Sequence, residues 1–297
     1  MKPIPITLRH LDYVIATADT GSTAAAARAL NVSQPSVSLA IAKVEAHLGR
    51  ALFARNTGQG VGLTSFGEHK LGEFRTLRSQ AFETLSGEDR QRSVLTLGVF
   101  STLGPRYAPG LVRGFLEEQP TADVRLLEAD LETLAQWLDS GQIDVALIYE
   151  FGLPSTLELI PLADVRPYGV VSQSHRLAER SSVSLAELLQ DPIILMNLPH
   201  SRAYFLSLAQ VQGITPTIAY ETGSVEMLRA MVANGLGVGV LATDIPHHTA
   251  YDQTPIVRLP LTGHLAPHRI ALARSGRLRP SSLTTAFCRY TRRVFVV

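Results

Sequence analysis

Polar side chains follow one side of the segment 33–47, which has the residue spacing of a helix. Apolar residues at Val37, Ile41 and Val44 recur every three or four positions and mark the side that faces a core. The opposite side carries Ser33, Gln34, Pro35, Ser36, Ser38, Leu39 and Lys43. Glutamine can pair with adenine in the major groove, serine with a base or a phosphate, and lysine with a phosphate. This side predicts a surface that reads duplex DNA; a solvated helix face is the alternative.

Neighbouring elements are needed to present this segment to DNA. Residues 8–18 have helical apolar spacing that ends at Gly21, and the alanine-rich stretch 23–30 favours a second helix that can pack closely. Asn31 tolerates the left-handed backbone of a tight turn, and Ser33 is a natural N-cap for the next helix. The order of helix, turn and capped helix predicts a helix-turn-helix whose second helix enters the major groove.

Two short strands are predicted next, at 52–55 and 60–64 around the tip 56–59, in the outline of a wing. Arg55 at the edge of this wing suits a phosphate. Residues 1–66 carry six basic and three acidic side chains, a net charge of +3, whereas the rest of the chain has a net charge of −2. A positive end on a slightly acidic body suits contact with a polyanion, although the excess is small.

A long helix is predicted at 65–88, with Thr64 as its cap. A narrow stripe with spacings of three and four runs along it: Leu71, Phe74, Arg78, Ala81 and Leu85. A helix of this length with such a stripe needs a partner helix. A second copy of the chain is the simplest partner, so this segment predicts a dimer.

From Val94 onward the pattern changes to strands alternating with helices, which predicts mainly parallel sheets covered by helices. Polar groups follow the ends of several predicted strands, at the start of a helix: Ser101 and Thr102; Asn197, Pro199, His200, Ser201 and Arg202; Thr222 and Ser224. Helix N-termini at strand ends favour anions, and Arg202 adds a fixed positive charge. These positions predict a site for a carboxylate or phosphate. The alternative is that Ser201 and Ser224 are plain N-caps and that Arg202 is solvated.

Other groups that could carry chemistry lack a supporting pattern. Cys288 is the single cysteine, so no disulfide or cysteine-rich zinc site forms within the chain, and only sulfenic-acid chemistry remains beside a buried apolar role. The glycine-rich run 235–239 precedes a strand, whereas a nucleotide-binding loop follows one. His247 and His248 lack a third metal ligand. Since no nucleophile has an activating context, we predict no catalysis, metal or cofactor.

Targeting signals are also missing from the sequence. No run of about 18 uncharged apolar residues predicts a transmembrane helix, and residues 1–14 lack the features of a secretory signal. We therefore expect a cytoplasmic protein. Two alternatives stay open: a solute-binding protein, which the missing signal and the DNA-reading segment disfavour, and an enzyme on an α/β scaffold, which the missing nucleophile–base pair and cofactor loop disfavour.

Residues 7–67 resemble the DNA-binding region of LysR-type transcriptional regulators. The motifs that carry this resemblance are LDY at 11–13, GSTAAA at 21–26, ALNVSQPSVS at 29–38, VEAHLG at 44–49, LFAR at 52–55 and LTSFG at 63–67. The family often has a basic residue where this chain has Leu39, which can instead contact a thymine methyl group.

The resemblance implies an α+β multidomain protein. Its parts are expected to be a winged helix-turn-helix at 1–64, a dimerising linker helix at 65–92, and an α/β regulatory domain similar to periplasmic binding proteins at 93–297. That domain is expected to hold a small-molecule effector between two subdomains, at 93–165 with 266–297 and at 166–265. The resemblance also implies homodimers or homotetramers on double-stranded promoter DNA, with RNA polymerase as a further partner.

Overall fold

The computed structural model describes residues 4–56, 60–85 and 93–295. The N-terminal part, here called the head, contains α1 (Leu8–Thr20), α2 (Thr23–Ala29), α3 (Gln34–Leu48), β1 (Phe53–Asn56) and β2 (Gly60–Leu63). β1 and β2 pair as an antiparallel hairpin. This arrangement confirms the predicted winged helix-turn-helix. Residues 57–59 of the predicted wing tip lie outside the described residues.

Local sequence sets the ends of the head's helices. The hydroxyls of Ser22 and Ser33 accept hydrogen bonds from backbone N–H groups three residues ahead, which caps α2 and α3. Gly21 and Gly49 have left-handed backbones, with φ of 63° and 70°, and end α1 and α3. Glycine reaches this conformation at little cost because it has no Cβ. These interactions act within a few residues, so they fix where α3 begins and ends.

The core of the head forms where its helices meet. Its buried side chains are Leu11, Tyr13, Val14, Ile15, Ala26, Ala27, Val37, Ala40, Ile41, Val44, Leu52, Leu71 and Phe74. The small side chain of Ala26 lets α2 approach α1 and α3 closely. Because the inner side of α3 is used by this core, its opposite side is left for contact with another molecule.

The linker helix α4 (Ser65–Leu85) leads out of the head. Thr64 caps it as predicted, since its Oγ1 accepts a hydrogen bond from the N–H of Gly67 at 2.9 Å. Residues 86–92, the last part of the predicted linker, lie outside the described residues.

The predicted stripe on α4 differs from the one the structure exposes. Leu71 and Phe74 pack into the core of the head, and Arg78 Nε lies 2.7 Å from Asp12 Oδ1. These residues are therefore already used within the chain. Leu77 and Leu85 remain exposed, at 51% and 75%, with Ala81 midway between them at helical spacing.

Two mixed sheets with surrounding helices form the rest of the molecule. The first sheet contains β3 (Ser93–Phe100), β4 (Ala122–Ala129), β5 (Val145–Tyr149), β6 (Leu157–Val165) and β13 (His268–Ser275), in the order β4-β3-β5-β13-β6. Its helices are α5 (Gly104–Glu118), α6 (Leu131–Asp139) and α10 (Ser282–Val294).

The second sheet contains β7 (Tyr168–Ser172), β8 (Val183–Ser184), β9 (Ile193–Met196), β10 (Ile218–Thr222), β11 (Val238–Leu241) and β12 (Ile256–Thr262), in the order β10-β9-β11-β7-β12-β8. Its helices are α7 (Leu185–Leu188), α8 (Pro199–Val211) and α9 (Val225–Ala233). The chain thus enters the second sheet after β6 and returns to the first sheet at β13.

Parallel pairing prevails less in the two sheets than the sequence predicted: five of the nine strand pairings described are parallel and four are antiparallel. β13 is antiparallel to both β5 and β6, and β7 is antiparallel to both β11 and β12. Parallel neighbours need a crossover connection, usually a helix. β6 follows β5 through the helix-free segment 150–156, and β7 and β13 arrive from the other sheet. Strands that follow a helix-free segment or arrive from the other sheet pair antiparallel here. By contrast, helices connect β3, β4 and β5, and these strands pair parallel.

Some predicted boundaries also change. The N-cap of α8 is Leu198, and the helix begins at Pro199, because proline is favoured in a first helical turn. Ser201 is therefore not an N-cap but lies within the first turn. The prediction that the glycine-rich run 235–239 leads into a strand is confirmed, since α9 ends before it, at Ala233, and β11 begins at Val238. Among the described helices, none combines the length and apolarity needed to cross a bilayer.

Candidate functional sites

The outer side of α3 is open to solvent. Val37 on the inner side is fully buried, whereas Leu39 on the outer side is 72% exposed. Every residue predicted for this outer side of α3 is exposed: Ser33, Gln34, Pro35, Ser36, Ser38, Leu39 and Lys43. A duplex can therefore reach the surface without any rearrangement of the head.

Hydrogen bonds at the start of α3 separate the roles of its polar groups. The Oγ atoms of Ser33 and Ser36 lie 2.7 Å apart, so these hydroxyls are partnered within the helix start. The Nε2 of Gln34 donates to Thr23 Oγ1 on α2 at 3.3 Å. This bond steadies the Gln34 amide while leaving its carbonyl oxygen and second N–H for another partner. The role of Thr23 as a partner of Gln34 was not predicted, because the only sign of it in the sequence is that Thr23 stands at the first position of α2.

Glu45 connects α3 to the wing. Its Oε1 accepts hydrogen bonds from the backbone N–H groups of Leu52, at 2.7 Å, and Phe53, at 3.2 Å. Charge-assisted bonds of this kind are stronger than neutral ones, so they fix the start of β1 relative to α3. Arg55, predicted to contact phosphate, has its backbone in β1, and its side chain lies outside the described part of the structure.

We expect Glu45→Gln to loosen the junction between α3 and the wing. A neutral amide oxygen replaces the charged acceptor, and the loss of about 1–2 kcal/mol corresponds to roughly 5- to 30-fold faster amide exchange at Leu52 and Phe53. Hydrogen exchange of the full chain, read by mass spectrometry, measures this change. The control Glu179→Gln alters an exposed carboxylate in the turn between β7 and β8. Unchanged exchange at Leu52 and Phe53 in the Glu45 variant would contradict the assigned role.

A small cavity, here called the inter-sheet cavity, is bounded by residues of both sheets. It encloses about 20 Å³ and is lined by Thr102, Tyr149, Met196, Ser201, Phe205, Val225, Leu241, Ala242, Thr243 and His268. The lining brings the ends of β5, β9 and β11 beside the starts of α8 and α9. Ligands of α/β sheets bind where strand ends meet helix N-termini. The space holds about one water molecule in this conformation.

His268 stacks between two tyrosine rings at this cavity. The centroid of its ring lies 3.7 Å from that of Tyr149 and 3.9 Å from that of Tyr204, with interplanar angles of 7° and 10°. His268 is 3% exposed, and burial lowers its pKa to about 3. Its imidazole is therefore neutral at pH 7, with one donor and one acceptor nitrogen. Within the described residues, its buried Nδ1 has no hydrogen-bond partner.

Hydroxyl groups join the two sheets beside this stack. Tyr149 Oη lies 2.7 Å from Thr243 Oγ1, and Tyr168 Oη donates to the Thr243 carbonyl oxygen at 2.8 Å. Burial raises the pKa of Tyr149, and it raises the pKa of Tyr168 to about 12, so both phenols stay protonated at neutral pH. Thr243 thereby connects β5 of the first sheet with β7 of the second.

The predicted ligand-binding residues divide into two groups. Thr102 and Ser201 line the inter-sheet cavity, and Ser201 is buried. Outside the lining lie Ser101, Asn197, Pro199, His200, Arg202, Thr222 and Ser224. Arg202 Nη2 pairs with Glu221 Oε1 at 3.1 Å, and Ser224 Oγ caps α9.

Other reactive groups have structural surroundings. Across residues 4–56, 60–85 and 93–295, no three metal-ligating side chains come together, and His247 and His248 are exposed loop residues. Cys288 is buried in α10, and burial raises its pKa to about 11. Because the thiolate is the reactive form of cysteine, this thiol is poorly suited to redox chemistry at neutral pH.

Two family models match this chain. The model described as "Bacterial regulatory helix-turn-helix protein, lysR family" matches residues 8–68, and the model described as "LysR substrate binding domain" matches residues 88–296. The chain belongs to the LysR family. The first LysR model covers the head with its open α3 surface, and the second covers both sheets and the inter-sheet cavity.

Individual LysR-family proteins are similar over most of the chain. The HTH-type transcriptional regulator YnfL of Escherichia coli (strain K12) is 31% identical over 248 residues, 80% of this chain and 82% of YnfL. The crystal structure of HinK, a LysR family transcriptional regulator from Pseudomonas aeruginosa, is 33% identical with a TM-score of 0.66, covering 97% of this chain and 98% of HinK. The crystal structure of full-length CbnR complexed with its target DNA is 25% identical with a TM-score of 0.58, and the match covers 97% of this chain and 99% of CbnR.

Sequence reasoning missed most of the lining that the LysR regulatory part provides. Tyr149 and His268 lie at the ends of apolar strands, where aromatic residues are typical of a core, and Thr243 follows the apolar strand β11. Their positions at strand ends were the only available signal. That signal was weak, because the sequence did not reveal which strand ends meet.

Proposed function

We propose that this LysR-family regulator binds promoter DNA through the outer side of α3, with the wing alongside. The observation that carries the proposal is the contrast between the two sides of α3, one buried in the core of the head and the other open. The complex of CbnR with its target DNA supports it, since that relative has the same fold. We propose that Gln34 and Ser38 contact bases, Leu39 a thymine methyl group, and Lys43 and Arg55 phosphates.

Within this proposal, Ser33, Pro35 and Ser36 shape the N-terminus of α3 and bring its first backbone N–H groups close to the DNA backbone. Ser33 caps the helix, and Pro35 lies in its first turn, where it replaces an N–H that has no partner within the helix. The free N–H groups and the positive end of the helix dipole favour a phosphate.

We propose that a small-molecule effector acts from the inter-sheet cavity. A molecule bound there contacts residues of both predicted subdomains, 93–165 with 266–297 and 166–265. If it binds one angle between them more tightly than another, it shifts the population toward that angle and repositions the paired heads. We infer that the protein is a regulator in the cytoplasm, with RNA polymerase as a further partner, rather than an enzyme, because the named relatives are transcriptional regulators.

Salt dependence tests the DNA-binding proposal. We expect the logarithm of the DNA association constant to fall linearly with the logarithm of KCl concentration, because each phosphate contact releases counterions. Replacing Lys43 with alanine is expected to reduce the slope by about one for each head bound. Fluorescence anisotropy with a duplex selected by the protein from a random library measures both slopes, and Arg180→Ala, at an exposed position between β7 and β8, is the control. A solute-binding protein without a DNA site would give no salt-dependent association.

We propose that α4 pairs with α4 of a second copy of the chain through Leu77, Ala81 and Leu85. Leu77→Glu is expected to raise the dimer dissociation constant at least about 10-fold, because a charge replaces buried apolar area. Analytical ultracentrifugation of the full chain measures the change. Val211→Glu, at an 85% exposed position on α8, is the matched control. A dissociation constant that Leu77→Glu leaves unchanged would exclude this surface as the dimer contact.

A further inference from the structure

The lining of the inter-sheet cavity contains hydrogen-bonding groups but no lysine or arginine. Its polar members are Thr102, Tyr149, Ser201, Thr243 and His268. Its other members are apolar: Met196, Phe205, Val225, Leu241 and Ala242. A ligand there meets hydroxyls and an uncharged imidazole on one part of its surface and hydrocarbon on the rest.

The arginines near this region already face carboxylates. Arg202 Nη2 lies 3.1 Å from Glu221 Oε1. Arg258 Nη1 and Arg106 Nη2 both approach Asp244, at 2.6 Å and 3.5 Å. All three arginines lie outside the lining. Arg202 is therefore matched by Glu221, whereas Arg106 and Arg258 share one carboxylate and keep one net positive charge outside the lining.

The helix N-termini at the cavity do not by themselves require an anion. The N-cap of α8, Leu198, offers no side-chain acceptor, so the first N–H groups of α8 keep their donor capacity. Carbonyl and hydroxyl oxygens accept such bonds as well as carboxylates do. An ionised group in a largely apolar site without a cation in its lining is destabilised by desolvation, whereas a neutral group with matched hydrogen bonds is not.

One polar group of the lining, the imidazole of His268, lacks a partner that a ligand could supply. His268 is 3% exposed, and its Nδ1 has no hydrogen-bond partner among the described residues. Ser201 is 4% exposed, and its hydroxyl adds a donor and an acceptor to the lining. Buried polar groups are normally satisfied, so the unpartnered Nδ1 of His268 indicates a polar contact to a bound molecule.

We propose that the ligand of this cavity is a small uncharged molecule with an apolar part and one or two hydroxyl, carbonyl or amide groups. This class replaces the carboxylate or phosphate that the sequence predicted from Arg202. The inference rests on the proposed function, because it assigns the class of effector to the same site. The cavity volume of about 20 Å³ holds about one water molecule, so a larger ligand must widen the cavity as it binds.

The ionisation of a thiol placed in the cavity tests this inference without knowledge of the ligand. Ser201 lies in the first turn of α8, where a helix N-terminus lowers the pKa of a thiol, whereas burial without a paired cation raises it. We expect burial to dominate in Ser201→Cys, so that the thiol pKa stays at or above the ordinary value of about 8.5 and no more than about half of the thiol is ionised at pH 8.5. Thiolate absorbance at 240 nm of the full chain, relative to Ser201→Ala, gives the value. Thr102→Cys provides a second reading if the first variant does not fold.

A thiol pKa below 8.5 at these positions would overturn the inference, since it would show a cavity that stabilises anions. Adding Arg202→Ala to the Ser201→Cys variant is expected to leave the thiol pKa unchanged. A rise would show that the charge of Arg202 reaches the cavity and would also overturn it. DNA association of the wild-type chain is measured separately, so a lowered thiol pKa with intact DNA binding contradicts the ligand class alone.

Discussion

Replacing Gln34 with alanine is expected to weaken binding to the selected duplex roughly 5- to 150-fold, while non-specific binding changes less than about threefold. A bidentate contact between glutamine and adenine contributes about 1–3 kcal/mol of discrimination, whereas phosphate contacts supply most of the non-specific affinity. Gln34 is exposed at the first position of α3, and its amide is steadied by Thr23. The side chain is therefore available to a base without reordering.

Competition anisotropy with the selected duplex and with a scrambled duplex of the same length measures both affinities at one salt concentration. Gln210→Ala, which removes an exposed glutamine from α8, is the matched control and should change neither affinity. Equal losses on both duplexes would mean that Gln34 contributes to general contact with DNA and does not read bases.

Acidification from pH 7 to pH 5 is expected to cost the fold about 2 kcal/mol through His268 alone. The pKa of His268 is about 3 in the folded protein, below the ordinary value of 6.5 that applies to the unfolded chain. Below pH 6.5 the unfolded chain takes up a proton that the folded protein does not accept, so the unfolded state is favoured. The stability that depends on His268 is therefore complete above pH 6.5 and is lost as the pH falls toward 3.

His268→Phe isolates this effect, because phenylalanine keeps a ring between Tyr149 and Tyr204 but cannot take up a proton. Urea denaturation of both proteins at pH 7 and pH 5 gives the comparison, and the wild-type chain should lose about 2 kcal/mol more than the variant. His264→Gln, at an exposed position, is the control and should keep the wild-type pH dependence. The same loss in the wild-type chain and in His268→Phe would show that His268 is not held neutral by burial.

The head could be predicted from sequence because its determinants are local. Ser33 and Gly49 set the ends of α3 through bonds and backbone angles within a few residues. The spacing of Val37, Ile41 and Val44 then decides which side of α3 is buried, and the outer side follows by exclusion. Glu45 was missed because its partners lie across a turn, where periodicity carries no signal.

The sheets and their cavity depend on contacts between distant parts of the chain. Tyr149 and His268 meet because β13 returns from the second sheet to pair with β5, and no local pattern encodes that return. Arg202 was predicted to hold an anion, but Glu221 on β10 stands beside it, which only the packing of α8 reveals. The exposed part of the stripe on α4 could not be predicted for a similar reason. The spacing marks the apolar positions, but it does not show which of them pack into the core of the head.

Protection of α3 by DNA tests the central claim most directly. A thiol introduced by Ser38→Cys lies on the exposed outer side of α3, and the native Cys288 is buried. We predict that saturating selected duplex slows alkylation of the introduced thiol at least about 10-fold, while the thiol of Ser181→Cys, at an exposed position between β7 and β8, reacts at its DNA-free rate. Alkylation of the Ser38→Cys thiol at the same rate with and without bound DNA would show that this side of α3 does not enter the groove.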